Sequence, residues 1–282
     1  MSSMKILILL ITLSCISLTL QKTKPSYTNS AQALWPDFCN SNTNQQSPIN
    51  IMTNSKDYMN NNNYIEVVST SYPVLNSVER KTRDNYHFWF DSPDVTKPSF
   101  TMKKDGEQYT FGLIDFHIHC GSEHRINNKQ YPCEIHLVHK RTIGSGDRDQ
   151  QRNLLVVGLL IEESANANPL FEGNSMDFSS YVKTDTKFHY YEGGLTTPGC
   201  DEAVNWFVRM ETVSASASQL ASLTNWIKTE YTGANGNARN VLTLGNRKVF
   251  KVEPSNNTVP VSAGNLVATM TIVMAVLSLL FL

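Results

Sequence analysis

Two histidines separated by one residue lie in a segment rich in β-branched and aromatic residues. His117 and His119 stand in the run Phe-His-Ile-His, and both imidazoles face one side of a strand because side chains alternate with period two. His136 follows in a second such run, seventeen residues after His119. If the two runs are antiparallel neighbours, His136 faces the pair. Three neutral imidazole nitrogens at one point form a zinc site with an open fourth position, which a structural site would normally fill with Cys or a fourth His.

Each histidine run also carries a carboxylate on the same face. Asp115 stands two residues before His117, and Glu134 stands two residues before His136. A carboxylate there can accept the second ring N–H and fix the tautomer of a metal-binding imidazole. A His-x-His pair alone is more often structural, but the third histidine and the two carboxylates favour a metal site. His139 has the opposite parity to His136 and is interpreted as a core histidine.

These runs belong to a series of predicted strands that turn formers separate. The predicted strands are residues 64–69, 87–90, 108–119, 134–139, 154–162 and 204–210. One helix is predicted over residues 214–231, after a serine-rich start. Its apolar face carries Leu220, Leu223, Trp226 and Ile227. We predict a single α+β domain that is β-dominated, with a large, mostly antiparallel, twisted central sheet and peripheral helices.

The composition fits one folded domain and excludes a strongly charged binding protein. The 282 residues are 40% hydrophobic and 17% charged, so the chain can bury a core. The formal net charge is −1, which excludes a generally basic nucleic-acid-binding protein and predicts no strong field toward anionic partners.

The two ends of the chain have the patterns of targeting segments. Residues 1–20 place Lys5 before an apolar stretch, which is typical of a secretory signal peptide. Residues 266–282 carry no charge and follow a stalk at residues 254–265, the layout of a glycosylphosphatidylinositol signal whose apolar tail is removed. A transmembrane anchor is the alternative, since seventeen apolar residues can just span a bilayer. We expect residues 21–253 to fold at the extracellular face of the plasma membrane.

Export favours disulfide bonds among the cysteines of the mature chain. Cys15 leaves with the signal peptide, and the even number that remains allows three pairings. The remaining cysteines are Cys39, Cys120, Cys133 and Cys200. Cys120 and Cys133 lie on the strand faces opposite the histidines, so they meet if the two strands are neighbours; two buried thiols are the alternative. Asn256 begins a glycosylation sequon in the stalk and competes with lipid attachment there.

Several spaced motifs resemble those of the α-class carbonic anhydrases. They are Gln-Ser-Pro-Ile-Asn-Ile at 46–51, Phe-His-Ile-His at 116–119, Gly-Ser-Glu-His at 121–124, Glu-Ile-His-Leu-Val-His at 134–139, Gly-Leu-Thr-Thr-Pro-Gly-Cys at 194–200, Asn-Ala-Arg at 237–239 and Asn-Arg-Lys-Val-Phe at 246–250. The resemblance runs from about Trp35 to Phe250. Agreement of several motifs in the same order makes it highly specific.

The resemblance implies reversible hydration of carbon dioxide to bicarbonate and a proton, with Zn²⁺ held by His117, His119 and His136. Zinc on three neutral histidines lowers the pKa of bound water to about 7, which gives hydroxide at neutral pH. Thr196 matches the threonine that accepts a hydrogen bond from this hydroxide. Glu123 matches the carboxylate that orients the threonine.

The resemblance also implies a substrate pocket and a disulfide bond. Thr197 matches a residue that contacts bicarbonate. The apolar wall for carbon dioxide matches Val138, Val156, Leu195, Val204 and Trp206. Cys39 and Cys200 match a bond of many secreted members.

Two further residues bear on proton transfer and on the metal: His87 is a candidate proton shuttle, and Asp115 differs from the residue usual in the family. His87 is the candidate proton shuttle, since it lies thirty residues before His117, the spacing of the family. A register shifted by three would put Asp84 there instead, and an ordinary strand histidine is the third interpretation. Asp115 replaces the usual neutral amide, so it should strengthen His117 as a ligand and make the bound water slightly less acidic.

The alternative function is a catalytically silent member of the family that serves as a binding or adhesion module. Silent members typically lose zinc histidines, whereas this chain keeps all three together with Thr196 and Glu123. It has no Gly-x-Ser-x-Gly motif of a serine hydrolase. The sequence therefore predicts a zinc-dependent carbonate dehydratase, a lyase, tethered to the membrane by a lipid.

Overall fold

The computed structural model describes the central part of the chain. It covers residues 26–36, 39, 45–76, 79–83, 87–89, 97–142, 152–173, 175–230 and 236–254. The predicted signal peptide, stalk and apolar tail lie outside these residues, as do Asp84 and Asn256, apart from Pro254 of the stalk. Within them no helix is long and apolar enough to cross a membrane.

Strands make up most of the described elements. The strands are β1 (Asn50–Ile51), β2 (Tyr58–Asn60), β3 (Ile65–Ser71), β4 (Glu79–Arg83), β5 (His87–Trp89), β6 (Ser99–Lys104), β7 (Glu107–Cys120), β8 (Arg125–Ile126), β9 (Lys129–Gln130), β10 (Cys133–Arg141), β11 (Leu154–Ser164), β12 (Phe188–Gly193), β13 (Val204–Arg209), β14 (Val213–Ser216) and β15 (Val249–Val252). The helices are α1 (Asn29–Gln32) and α2 (Ala217–Glu230), with a 3₁₀ turn at Pro169–Phe171.

A twelve-stranded sheet forms the body of the domain. Its main path is β2-β15-β12-β13-β11-β10-β7-β5-β4, with β14 beside β11 and with β6 pairing both β3 and β7. Most pairs are antiparallel, whereas β11 runs parallel to β13 and β14, and β15 runs parallel to β2. The prediction of a single β-dominated domain on a mostly antiparallel sheet is confirmed.

The C-terminal helix begins three residues later than the sequence predicts. The segment Val213–Ser216 is a strand in which Val213 lies opposite Ile161 of β11. Ser216 nevertheless caps the helix, because its Oγ accepts a hydrogen bond from the Gln219 backbone N–H at 3.3 Å. The serine-rich segment therefore supplies the cap of the helix, while its first residues pair with the sheet.

The central strands β7 and β10 separate a large apolar core from the histidines. Phe116 and Ile118 of β7 pack into the core, and Ile135 of β10 joins them. Because the alternation has period two, burial of this face fixes which residues point to the other side. The register then places His136 opposite His117.

Two disulfide bonds connect the described cysteines. Cys120 lies opposite Cys133 across β7 and β10, and the two are bonded with their Cα atoms 4.1 Å apart. Cys39 is bonded to Cys200 across a sequence separation of 161 residues. Closing a loop of that size stabilises the fold by about 5 kcal/mol in the chain-entropy model. Both predicted pairings are confirmed.

Candidate metal centre

Three imidazoles converge on the side of β7 and β10 that faces away from the large apolar core, as the alternation predicts. The ring centroids of His117 and His119 are 5.0 Å apart, and that of His136 lies 5.2 Å and 4.6 Å from them. One ligand nitrogen from each ring falls within 4.8 Å of the other two. All three residues are buried. A metal with tetrahedral preference needs such a set of neutral nitrogens.

The two predicted carboxylates each contact the histidine two residues further on. His117 Nδ1 lies 3.2 Å from Asp115 Oδ1, and His136 Nε2 lies 2.9 Å from Glu134 Oε1. A carboxylate that accepts the ring N–H leaves the lone pair on the opposite nitrogen. His117 Nε2 and His136 Nδ1 are therefore the atoms that would hold a metal.

The third histidine is oriented by a residue that the sequence reasoning did not assign. His119 Nδ1 donates to the backbone carbonyl of Asn237 at 2.7 Å, which makes Nε2 the ligand atom. The Asn237 side chain bonds the backbone on both sides of this histidine, accepting from the Cys120 N–H and donating to the Ile118 carbonyl. The three remaining ring nitrogens, His117 Nε2, His119 Nε2 and His136 Nδ1, together fit a zinc ion.

Glu134 is the centre of a buried hydrogen-bond network. Its Oε2 accepts from the backbone N–H groups of Glu123 and His124, and its Oε1 from the rings of His124 and His136. Burial alone would raise the pKa of Glu134, but His124 and His136 outweigh burial and hold it well below its usual range. His124, Glu134 and His136 also lie close enough to bind a metal. Four N–H donors occupy this carboxylate, so we interpret that group as a hydrogen-bond network.

Glu123 is buried beside the histidines and Thr196. Its Oε1 accepts from the Arg239 backbone N–H at 2.8 Å and lies 3.4 Å from His119 Nδ1. Burial raises the pKa of Glu123 to about 7, although His136, the Thr196 hydroxyl and the Arg239 N–H favour the ionised form. The structure thus brings the two predicted catalytic residues together next to the metal ligands.

The Arg239 side chain ties the loop of Thr196 to the N-terminal segment, a role that the sequence reasoning missed. Its buried guanidinium donates to backbone carbonyls of three segments and to one side-chain amide. The acceptors are Cys39 O, Ser47 O, Leu195 O and Gln46 Oε1. The Asn-Ala-Arg motif signals this residue, but its contacts depend on chain segments far apart in sequence.

An apolar cleft of about 230 Å³ opens over the histidines. The predicted residues that line it are Val138, Val156, Leu195, Thr196, Thr197 and Trp206, together with His117 and His136. Val204 is not among the lining residues; it is fully buried in the same apolar cluster as Val156 and Trp206.

Two further apolar residues, Ile114 and Leu154, line the cleft without having been predicted. The β7–β10 register shifts between Val138 and His139, whose partners are Asp115 and Leu113. Ile114 is therefore the extra residue of a β-bulge, and simple alternation does not apply to it.

The backbone of the candidate shuttle lies next to the metal strand. His87 belongs to β5, and Phe88 of that strand pairs with Phe116 of β7. The alternative, Asp84, lies outside the described residues. The shuttle assignment stays a prediction.

Comparison with known proteins agrees with this geometry. A family model described as eukaryotic-type carbonic anhydrase matches residues 30–253. Carbonic anhydrase 4 of Rattus norvegicus is 28% identical, over 84% of this chain and 84% of its own length. The carbonic anhydrase of Dunaliella salina is 28% identical, over 77% of this chain and 41% of its own length. The crystal structure of a halotolerant carbonic anhydrase from Dunaliella salina has a TM-score of 0.55 and 27% identity, over 74% of this chain and 88% of that one. The chain belongs to the eukaryotic-type carbonic anhydrase family.

Proposed function

We propose that this protein is a zinc enzyme that catalyses the reversible hydration of carbon dioxide to bicarbonate and a proton. The convergence of His117, His119 and His136 at an apolar cleft carries the proposal. Zinc held there would lower the pKa of bound water to about 7, so that hydroxide is available as the nucleophile at neutral pH. A silent binding module would have no need of three histidines that are each held by a separate acceptor.

Thr196 orients the nucleophile in this proposal. Burial raises the pKa of Glu123 to about 7, and the hydrogen bond from Thr196 opposes that rise. In its ionised form this carboxylate can only accept hydrogen bonds, so the Thr196 hydroxyl is then the donor. The oxygen of Thr196 is then left to accept a hydrogen bond from the nucleophile. This directs the remaining lone pair of the nucleophile toward the apolar wall.

The wall of the cleft suits an uncharged, linear substrate. Val138, Val156, Leu195 and Trp206 offer no hydrogen bond to water from their apolar surfaces, so carbon dioxide can displace water there at little cost. Thr197 contacts the bicarbonate product at the polar side of the cleft. Val204 packs in the same apolar cluster as this wall.

Zinc content and the carbon dioxide hydration rate, measured on the same preparation, test the proposal. We expect one zinc ion per chain and a rate that disappears on chelation and returns when zinc is added back. Protein with a full zinc content and no hydration above the buffer rate would instead favour the binding module.

His87→Ala tests the proton shuttle. If His87 carries the proton, turnover at saturating substrate falls on the order of tenfold, because proton export then limits the cycle. kcat/KM changes little, since it reports the steps through bicarbonate release. Imidazole buffer restores turnover by accepting the proton directly. Unchanged turnover in weak buffer contradicts the assignment, and Asp84→Ala is then the next variant to measure.

We further propose that the mature enzyme is secreted and held at the extracellular surface by a glycosylphosphatidylinositol anchor. The proposal rests on residues 1–20, the stalk and the apolar tail, with Asn256 as the glycan site. Treating intact cells with a phosphatidylinositol-specific phospholipase should release the protein into the medium. Retention, under conditions that release a control anchored protein, would favour a transmembrane tail.

A further inference from the structure

A second cavity, of about 440 Å³, lies behind the metal centre. Glu123 lines this rear cavity, whereas its neighbour Thr196 lines the cleft over the histidines. The rear cavity is bounded by the Cys120–Gly121 corner, the end of α2 and the segment 236–241. Its polar side chains include Arg125, Gln130, Thr224, Lys228 and Asn240. None of the chemistry proposed above uses this space.

Two cations face the rear cavity with little to neutralise them. Arg125 makes one long hydrogen bond, from Nη2 to Gln130 Oε1 at 3.4 Å, and its buried Nε donates to no described group. Lys228, in the last turn of α2, forms no ion pair with any described residue. A buried guanidinium donor without an acceptor is costly, because it has lost water and gained no partner.

The described lining contains one carboxylate, Glu123, against three cationic side chains, Arg125, Lys228 and Arg239. Glu123 Oε1 accepts the Arg239 backbone N–H, and its Oε2 lies 3.8 Å from His136 Nδ1, on the side of the metal centre. The remaining polar lining offers neutral amides and two hydroxyls, which can donate hydrogen bonds. The rear cavity therefore presents positive charge and hydrogen-bond donors to an occupant.

We propose that the rear cavity binds a small organic oxyanion, a carboxylate or a phosphate ester, between Arg125 and Lys228. The planar fork of Arg125 suits two oxygens of such a group, and Lys228 supplies a second point of positive charge. The cavity volume exceeds that of a single inorganic ion, which leaves room for an organic body beside the amides.

The location gives such a ligand direct access to the framework of the metal centre. Segment 236–241 forms one wall of the rear cavity. The same segment holds His119 through the Asn237 carbonyl and holds Glu123 through the Arg239 N–H. An occupant therefore contacts the backbone that positions a metal ligand and the partner of Thr196.

Direct titration of the full-length, metal-loaded protein tests the proposal, with succinate and inorganic phosphate as separate probes. Calorimetry gives the affinity, and the NMR signal of the Arg125 Nε–H reports whether the anion reaches that donor. We expect saturable binding of at least one probe, with a shift of this signal. The stronger of the two probes distinguishes a carboxylate from a phosphate ligand. These measurements do not depend on catalysis, so they test the rear cavity independently of the proposed function.

Matched variants distinguish this site from anion binding at the metal. Arg125→Gln and Lys228→Gln should each weaken binding by about tenfold, because each removes a charge-assisted contact. Lys129→Gln makes the same charge change on the neighbouring strand, where Lys129 pairs with Glu162, and should leave the affinity unchanged. Lys228 is exposed on a helix, so its variant keeps the test valid if the Arg125 variant fails to fold. Equal affinity in all variants, or no saturable binding of either probe, overturns the proposal.

Discussion

Replacing His119 with alanine should remove bound zinc and carbon dioxide hydration together. His119 is buried beside the other two histidines, with its ring 5.0 Å from that of His117 and 4.6 Å from that of His136. Two imidazoles cannot hold the metal against water, and without the metal no group in the cleft generates the nucleophile. Zinc content by mass spectrometry and the hydration rate by stopped flow are the two measurements. We expect less than a tenth of the wild-type zinc at the same free zinc concentration, and the uncatalysed rate.

The control for this experiment is a buried histidine remote from the metal. His189 accepts or donates one hydrogen bond with the Tyr58 hydroxyl at 2.8 Å, and burial lowers its pKa to about 4. It is therefore neutral, like a ligand, but it lies on β12, three strands away from β10 in the sheet. His189→Gln should retain one zinc per chain and a near-native rate. A His119→Ala protein with stoichiometric zinc and a near-native rate would refute the metal site.

Thr196→Val should lower kcat/KM on the order of a hundredfold while the zinc content stays unchanged. Valine has the shape of threonine but no hydroxyl, so the nucleophile loses its oriented acceptor and the metal ligands are untouched. Thr224→Val, which removes a hydroxyl in the rear cavity, is the matched control and should keep the wild-type rate.

A double-mutant cycle with Glu123 sharpens this second test. Glu123→Gln replaces the acceptor of the Thr196 proton with an amide. This variant should therefore lower kcat/KM by a factor similar to that of Thr196→Val. Because the two residues act as one unit, the double variant should be no slower than the slower single variant. Independent, multiplying losses would show that Glu123 does not act through Thr196.

The metal centre was predictable where local alternation determines it. Period-two alternation places His117 and His119 on one face, and the same rule places Cys120 on the other. Once β7 and β10 pair, a single register brings His136 to the histidines and Cys133 to Cys120. Burial of the apolar face selects that register, so one pattern carries both the metal site and a disulfide bond.

The remaining features depend on contacts that no local pattern encodes. The Asn237 carbonyl reaches His119 across 118 residues, and the Arg239 N–H reaches Glu123 across 116. Ile114 enters the cleft through a bulge, which breaks the alternation used to predict the strand. Residues 214–216 were predicted as the start of a helix because their parallel pairing with β11 is a long-range contact.

The four N–H donors that surround Glu134 bear on how the protein acquires its metal. They fix this carboxylate, and through it the His136 ring, by contacts within the protein alone. His117 and His119 stand on the same rigid central strand and are likewise held by protein acceptors. In small zinc domains the metal must order the chain, and binding free energy is consumed as folding free energy. Here contacts within the protein orient all three imidazoles, so under the proposed function zinc would dock onto an already folded scaffold and its binding free energy would go into affinity and residence time.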